Sequence, residues 1–300
     1  GVLREGVPVR YAWMKEHRNE YPVPAMCKVL DVSDSGYYEW LGREPSERHR
    51  QKDRLCDAAM KSYFRSNRIY GYRKVHQDLA ASGISCCDET VRRILHEKGL
   101  FSRVKRKFVV TTDSKHSLAI ADNVLERDFE ADDVNRKWAA DITYIPTAEG
   151  WLYLACVMDL YSRRIVGWSM RENIDAELTC SALNMAIRRR RPANGLIHHS
   201  DRGVQYASLA YQKILARCRM ICSMSGKGDC WDNACMESFF GSLKTEWVNH
   251  IRYKTREEAG KDVFKYIESF YNARRRHASL GYVSPASYEE MRSKTTDHAA

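Results

Sequence analysis

Paired cysteine spacings are missing from this 300-residue chain, although it holds ten cysteines. Cys86 and Cys87 are adjacent, and Cys218, Cys222, Cys230 and Cys235 are irregularly spaced, so there is no C-x-x-C zinc framework. Free thiols in a reducing cytosol are the expectation. Also missing are a signal peptide and any apolar run long enough to span a bilayer. No glycine-rich phosphate loop of the Walker or dinucleotide type occurs, so nothing points to ATP-driven chemistry. No heptad run supplies a ready dimer contact.

What is present is a basic excess. Lys and Arg number 49 against 39 Asp and Glu, a formal charge of +10 and a pI near 9.1. The excess is uneven. Residues 1–115 hold 23 basic and 15 acidic side chains, whereas 116–300 hold 26 and 24. A basic part that docks on a polyanion, joined to a nearly neutral part that does something else, fits this split. A hydrophobic content of 44% is ample for one or two cores.

Along the chain, PVPAMCKVL and DSGYYEWL predict two short helices around a tight turn, with Ser33 or Asp34 as cap and Tyr37, Tyr38 and Trp40 as core. Residues 42–50 read as a polar hinge, and 51–66 as a helix. A second helix-turn-helix pattern follows. Tyr72–Ala81 form its first helix, Gly83-Ile84-Ser85 the turn, and Asp88 caps a helix burying Val91, Ile94 and Leu95. Arg92 and Arg93 project from that helix, and the trailing arm carries Arg103, Lys105, Arg106 and Lys107. Arginines on a helix face with a basic arm behind suit groove entry plus phosphate contact. The expected division is 1–50 with the first helix-turn-helix, 51–110 with the second, a polar linker over 111–136, an α/β core over 137–250, and a helical extension over 251–300.

In the core, three strand-like runs come first: Trp138–Ile145, Trp151–Asp159 and Arg164–Met170. Helix Ala176–Arg190, strand Gly195–His199, helix Ala207–Arg217, strand Arg219–Met224 and a long helix near Asp232–Trp247 follow, then helices at 255–276 and 285–292. Three strands in a meander followed by alternating helix and strand predict a mixed five-stranded sheet flanked by helices, the RNase H-like order.

Three acids stand out on this frame. Asp141 interrupts the apolar first strand, where a carboxylate is costly unless it meets a cation. Asp201 directly follows the strand Ile197–Ser200. Glu237 lies on the long helix, sharing a face with Asn233 and Lys244 at spacings of four and seven. Singly, Glu237 reads as a solvated helix acid and Lys244 as a surface lysine. Together with two strand-borne aspartates they form a hard, all-oxygen site for two Mg²⁺ ions, suited to displacement at a phosphodiester. Asp159 competes as a partner to that site or as a strand cap.

The residues W-x-x-D-I-T-Y-I around Asp141, H-S-D-R-G-x-Q-Y around Asp201 and D-N-A-x-x-E-S-F-F-x-x-L-K-x-E around Glu237 resemble the DDE catalytic core of retroviral integrases and bacterial transposases. The whole is more similar to the OrfB-type transposases of copy-out–paste-in insertion sequences. V-S-x-S-G-Y-Y-x-W (32–40), Y-G-Y-R-K-V-H (70–76) and Y-N-x-R-R-R-H-x-S-L-G-Y-x-S-P-x-x-Y (271–288) fit the same family, so the likeness spans about 11–291.

The resemblance implies Asp141, Asp201 and Glu237 as catalytic acids and metal ligands for Mg²⁺, with Mn²⁺ as a substitute, and Lys244 as the associated basic residue. Asn233, Arg92, Arg93 and the basic arm become DNA contacts. The implied partners are element ends, target DNA, a second protomer and an upstream-encoded or fused helix-turn-helix and coiled-coil segment, in a bacterial cytoplasm at the nucleoid. Two other functions share these residues: a DNA-binding regulator with a silent core, and a purely hydrolytic nuclease.

Overall fold

The computed structural model describes residues 2–44, 46–102, 121–226 and 233–297. They form two compact units, 1–61 and 62–300. In the first, α1 (Val7–His17), α2 (Val23–Leu30) and α3 (Asp34–Gly42) enclose Tyr11, Met14, Met26, Leu30 and Tyr37. Of the two cap candidates, Ser33 caps α3, its hydroxyl accepting from the Gly36 amide at 3.3 Å. Helix α4 (Glu47–Arg65) carries the chain into the second unit. It starts four residues before the expected 51, so part of the hinge is helical.

The second unit opens with the expected helical pair, α5 (Tyr72–Ala81) and α6 (Asp88–Glu97). Val91, Ile94 and Leu95 face inward as the spacing predicts. Asp88 is not the cap. Cys87 holds that position, its Sγ meeting the Thr90 hydroxyl at 3.0 Å without capping the backbone, and Asp88 and Glu89 sit in the first turn, where the helix dipole favours acids.

The sheet then forms in the expected order: β1 (Lys137–Thr147), β2 (Gly150–Asp159), β3 (Ile165–Arg171), β4 (Ile197–Ser200) and β5 (Ile221–Met224), arranged β3-β2-β1-β4-β5. The meander pairs are antiparallel, and β4 and β5 join in parallel. This is the RNase H-like mixed sheet. Helix α7 (Ala176–Arg190) lies on β3 so closely that a methyl group on Gly167 would come within 2.2 Å of the Ala182 carbonyl oxygen. Trp138, Ala140, Val157, Leu183 and Tyr211 belong to the core that α7 shares with the sheet.

Four expectations are corrected in detail. Residues 121–136 do not behave as a free linker. Leu125 is buried, the Val124 and Leu125 amides both donate to Ser223 Oγ at 3.0 Å, and the Asn135 amide donates to Asp159 Oδ2 at 2.7 Å. Their polar composition hid backbone donors that the sheet satisfies. The expected helix at 207–217 is two, α8 (Val204–Ala207) and α9 (Leu209–Arg217), because Ser208 caps the second through the Tyr211 amide.

The long helix α10 (Ala234–Glu246) begins later than expected. The helix over 255–276 is α11 (Arg256–Phe264) followed by a wider π-turn, Lys265–Tyr271. That turn buries Tyr266, Ile267, Phe270 and Tyr271, with the three aromatic rings against Phe239 and Trp247. Helix α12 (Pro285–Asp297) follows. Among the described residues no helix is long and apolar enough to cross a membrane.

Candidate active site

Sheet register sets Asp141 beside Asp201. In the parallel pair β1–β4, Ala140 stands opposite Ser200. The residue that follows each of these two is an aspartate, and adjacent strands run about 4.8 Å apart. Asp141 is half-buried, and its Oδ1 accepts from the Ile142 amide at 2.7 Å. Asp201 lies just past the end of β4, and its Oδ1 accepts from the Gly203 amide at 2.9 Å.

Glu237 reaches this pair by way of Asn233. The Asn233 side chain is buried and donates to the Ala140 carbonyl oxygen at 3.2 Å, tying the start of α10 to the residue before Asp141. Glu237 stands one turn further along, in the first turn of α10. Asn233 is therefore corrected from a DNA contact on an open helix face to a buried clamp between α10 and β1. Spacing placed it on the Glu237 face; only the fold reveals that it precedes the helix and turns inward.

The charges of these side chains act on one another. Burial pushes the Asp141 carboxyl well above the usual carboxylate range, and the charges of Asp201 and then Glu237 add to the rise, against the Ile142 amide and Lys244. Burial likewise raises Glu237. Lys244 is lowered by burial and held up by Asp141, with its Nζ 4.4 Å from the centre of the Tyr144 ring. A lysine docked on an aromatic face beside an aspartate is no surface lysine. The buried phenol of Tyr206 also senses Asp141 and Asp201, after burial and Tyr211.

Among the described residues, no group of three or more His, Cys, Asp or Glu is placed to hold a metal ion as the side chains stand. The fit to a hard divalent cation lies in donor chemistry. Three carboxylates gather, and the repulsion that Asp201 and Glu237 exert on Asp141 is the kind a divalent cation relieves.

The other expected residues fall elsewhere. Asp159 is no member of the acid group. It closes the β1–β2 ladder at the end away from the hairpin, opposite Trp138, accepts from the Asn135 and Tyr161 amides at 2.7 and 2.9 Å, and faces Arg190, which also pairs with Glu289. Arg92 and Arg93 are exposed on α6 as expected, with Arg92 held by both carboxylate oxygens of Glu89 at 2.7 and 2.6 Å. Arg103, Lys105, Arg106 and Lys107 lie outside the described residues.

Missed by sequence reasoning is the inward role of the terminal motif. The Asn272 side chain pairs with both backbone groups of Ile165 at 2.9 Å, covering the edge of β3. Buried Arg275 grips Glu246 of α10, and Arg276 joins Asp78 of α5 at 2.6 Å. A run of three arginines reads as a nucleic-acid patch; burial of the second shows that it also holds the unit together.

Comparison with known proteins follows the same outline. Residues 131–230 match the family "Integrase core domain", 237–292 match a second family of that description, and 50–108 match "HTH-like domain". The chain is 44% identical over 283 residues to transposase InsF for insertion sequence IS3A of Escherichia coli (strain K12), covering 94% of this chain and 98% of that protein. It is 45% identical over 265 residues to the insertion element IS600 uncharacterized 31 kDa protein of Shigella sonnei, covering 88% and 97%. An integrase-type sheet with its acids on β1, after β4 and on α10, behind an HTH-like helical pair and aligned nearly end to end with InsF, makes this chain a member of the OrfB-type DDE transposases of the IS3 family.

Proposed function

We propose that the chain cuts a DNA strand at the element end and joins the freed 3′-OH to another phosphodiester, with Asp141, Asp201 and Glu237 as the acids of both steps. The observation that carries this reading is the register of β1 with β4, which sets two aspartates side by side where α10 delivers a glutamate. Those carboxylates would hold divalent ions, Mg²⁺ first and Mn²⁺ in its place. When bound, such ions supply Lewis-acid activation of the attacking oxygen and charge neutralisation at the leaving 3′ oxygen.

The chain's own residues do the positioning. Asp141, rigid within the central strand, fixes the reference point of the site. Asp201 is oriented by the Gly203 amide, and Glu237 by the Asn233 clamp on Ala140. Lys244, kept beside Asp141 by Tyr144, holds a phosphate oxygen near the acids. Arg92 and Arg93 on α6 contact the element end; the Glu89 pair on Arg92 is an exposed one, easily exchanged for a phosphate.

Bond accounting needs no ATP. Water attacks phosphorus at the element end, breaks the P–O3′ bond and leaves a 3′-OH. That hydroxyl then attacks a second phosphodiester, forming one P–O3′ bond as another breaks. Catalysis is positioning and charge stabilisation. The test supplies uncut element ends and, in parallel, pre-cut ends with a free 3′-OH, each with a target duplex, Mg²⁺ and this chain. Joined product is the expected result. Cleavage of uncut ends without any joining would instead make the protein a hydrolytic nuclease, and binding without either would make it a regulator.

A further inference from the structure

A pocket of about 420 Å³ opens on another side of α10. Cys235, Ser238 and Ser242 of the helix line it. At about 100° per residue these fall well around the helix from Glu237 and Lys244. The other walls come from three separate parts of the unit: Lys74 of α5, Arg163 of the β2–β3 turn, and Arg275–Ser279 of the terminal motif.

The charges here are of two kinds. Arg275 is matched by Glu246 and Arg276 by Asp78. Lys74 and Arg163 have no acidic ion-pair partner among the described residues. Lys74 Nζ lies 5.3 Å from the centre of the Tyr70 ring, and Arg163 donates to Cys235 Sγ and to the Phe129 carbonyl oxygen. Arg163 also holds a left-handed backbone, φ 59°, which is uncommon for a residue with a side chain and turns up where a loop presents a group.

The cations that line the pocket act on its titratable groups. Burial first, and then the charges of Arg275, Lys74 and Arg163, push His277 down to about 3. Burial and then Arg275, against Glu246, lower Lys74 to about 8. Two unmatched cations, half-buried together with serine hydroxyls in a concave site, form the setting in which an oxyanion is bound best.

We propose that this pocket is a second anion site, taking a phosphate group between Lys74 and Arg163 with Ser238 and Ser279 as hydroxyl donors. Because its walls join α5 of the HTH-like pair to α10 of the catalytic sheet, an occupying phosphate links the DNA-recognition helices to the helix that carries Glu237. The phosphate group could belong to a DNA backbone or to a small free compound, and both sources are tested.

The full chain, Lys74→Gln and Lys74→Gln/Arg163→Gln are compared in two measurements. Thermal melting with inorganic pyrophosphate should raise Tm of the wild-type chain and leave the double variant unmoved, with Arg163→Lys keeping the shift. Binding of a short duplex over a salt series should give a slope of log Kobs on log salt that is shallower by about one in the variants, from the loss of one phosphate contact. A changed slope assigns the site to DNA backbone. A pyrophosphate shift with unchanged slope assigns it to a free phosphate compound. An unmoved wild-type Tm together with equal slopes overturns the proposal, and the wild-type arm does not depend on a variant folding. The pyrophosphate arm is independent of the transposase reading: intact pyrophosphate binding in a chain that neither cuts nor joins DNA would count against that reading alone.

Discussion

Asp201 Oδ1 accepts the Gly203 amide at 2.9 Å, and a methyl group on Gly203 would stand 2.9 Å from that same oxygen. The Gly203 backbone, at φ −60°, is one that any residue adopts, so the requirement for glycine comes from the carboxylate. Gly203→Ala should leave stability within about 0.5 kcal/mol of wild type. It should reduce strand joining by about ten- to a hundredfold, because the acid must rotate away. Urea midpoints and joining rates, measured on the same preparation, separate the two effects.

Gly167 predicts the reverse pattern. Its missing side chain lets backbone meet backbone, at Ala182 O and Ala186 N, which cannot yield as a carboxylate can. Gly167→Ala should destabilise the second unit by about 1–3 kcal/mol through overpacking, with residual activity tracking the folded fraction. An urea midpoint equal to wild type would mean that α7 is not pressed against β3 as described.

Arg275 and Glu246 make a third case. The pair is nearly buried, at 10% and 13% side-chain exposure, and is joined by two hydrogen bonds. Arg275→Ala should cost about 3–5 kcal/mol by leaving Glu246 uncompensated, whereas Arg275→Met with Glu246→Leu should recover most of it. A double-mutant cycle by urea denaturation reads the coupling, and additive losses would show that the pair is not coupled.

Stability should also fall in mild acid. His198 is buried against the Tyr211 hydroxyl at 3.0 Å and is pushed down to about 3, by burial first and by His199 second. The unfolded chain takes up this proton near pH 6.5 and the folded chain does not. Stability is therefore full above pH 6.5 and is lost as pH falls toward 3, by up to about 1.4 kcal/mol per pH unit. His277, lowered for similar reasons, adds a loss of the same sign. His198→Gln should lose about 2 kcal/mol less than wild type between pH 7 and pH 5. Parallel losses would show that His198 titrates normally in the fold.

Much of this was legible before the fold was seen, for identifiable reasons. Strands β1 to β3 and helix α7 carry strong apolar periodicity, and their bounds came within two residues. Asp141 stood out because a carboxylate in an apolar strand needs a cation. What stayed hidden depended on contacts distant in sequence. Asn233 shares a helical spacing with Glu237, and nothing local says that its amide reaches Ala140. Asp159 looked like a rival acid because it also ends a strand, and only pairing with Trp138 places it away from Asp141. Arg275 lies in a basic run whose composition points outward, while its burial depends on Glu246, 29 residues earlier.

The most direct test of the central claim is the joining of pre-cut element ends to target DNA in Mg²⁺ by Asp141→Asn, Asp201→Asn and Glu237→Gln, each alongside a DNA-binding measurement. Each variant should bind the ends as wild type does and give no joined product. Joining at near-wild-type rates by any one of the three would contradict the account.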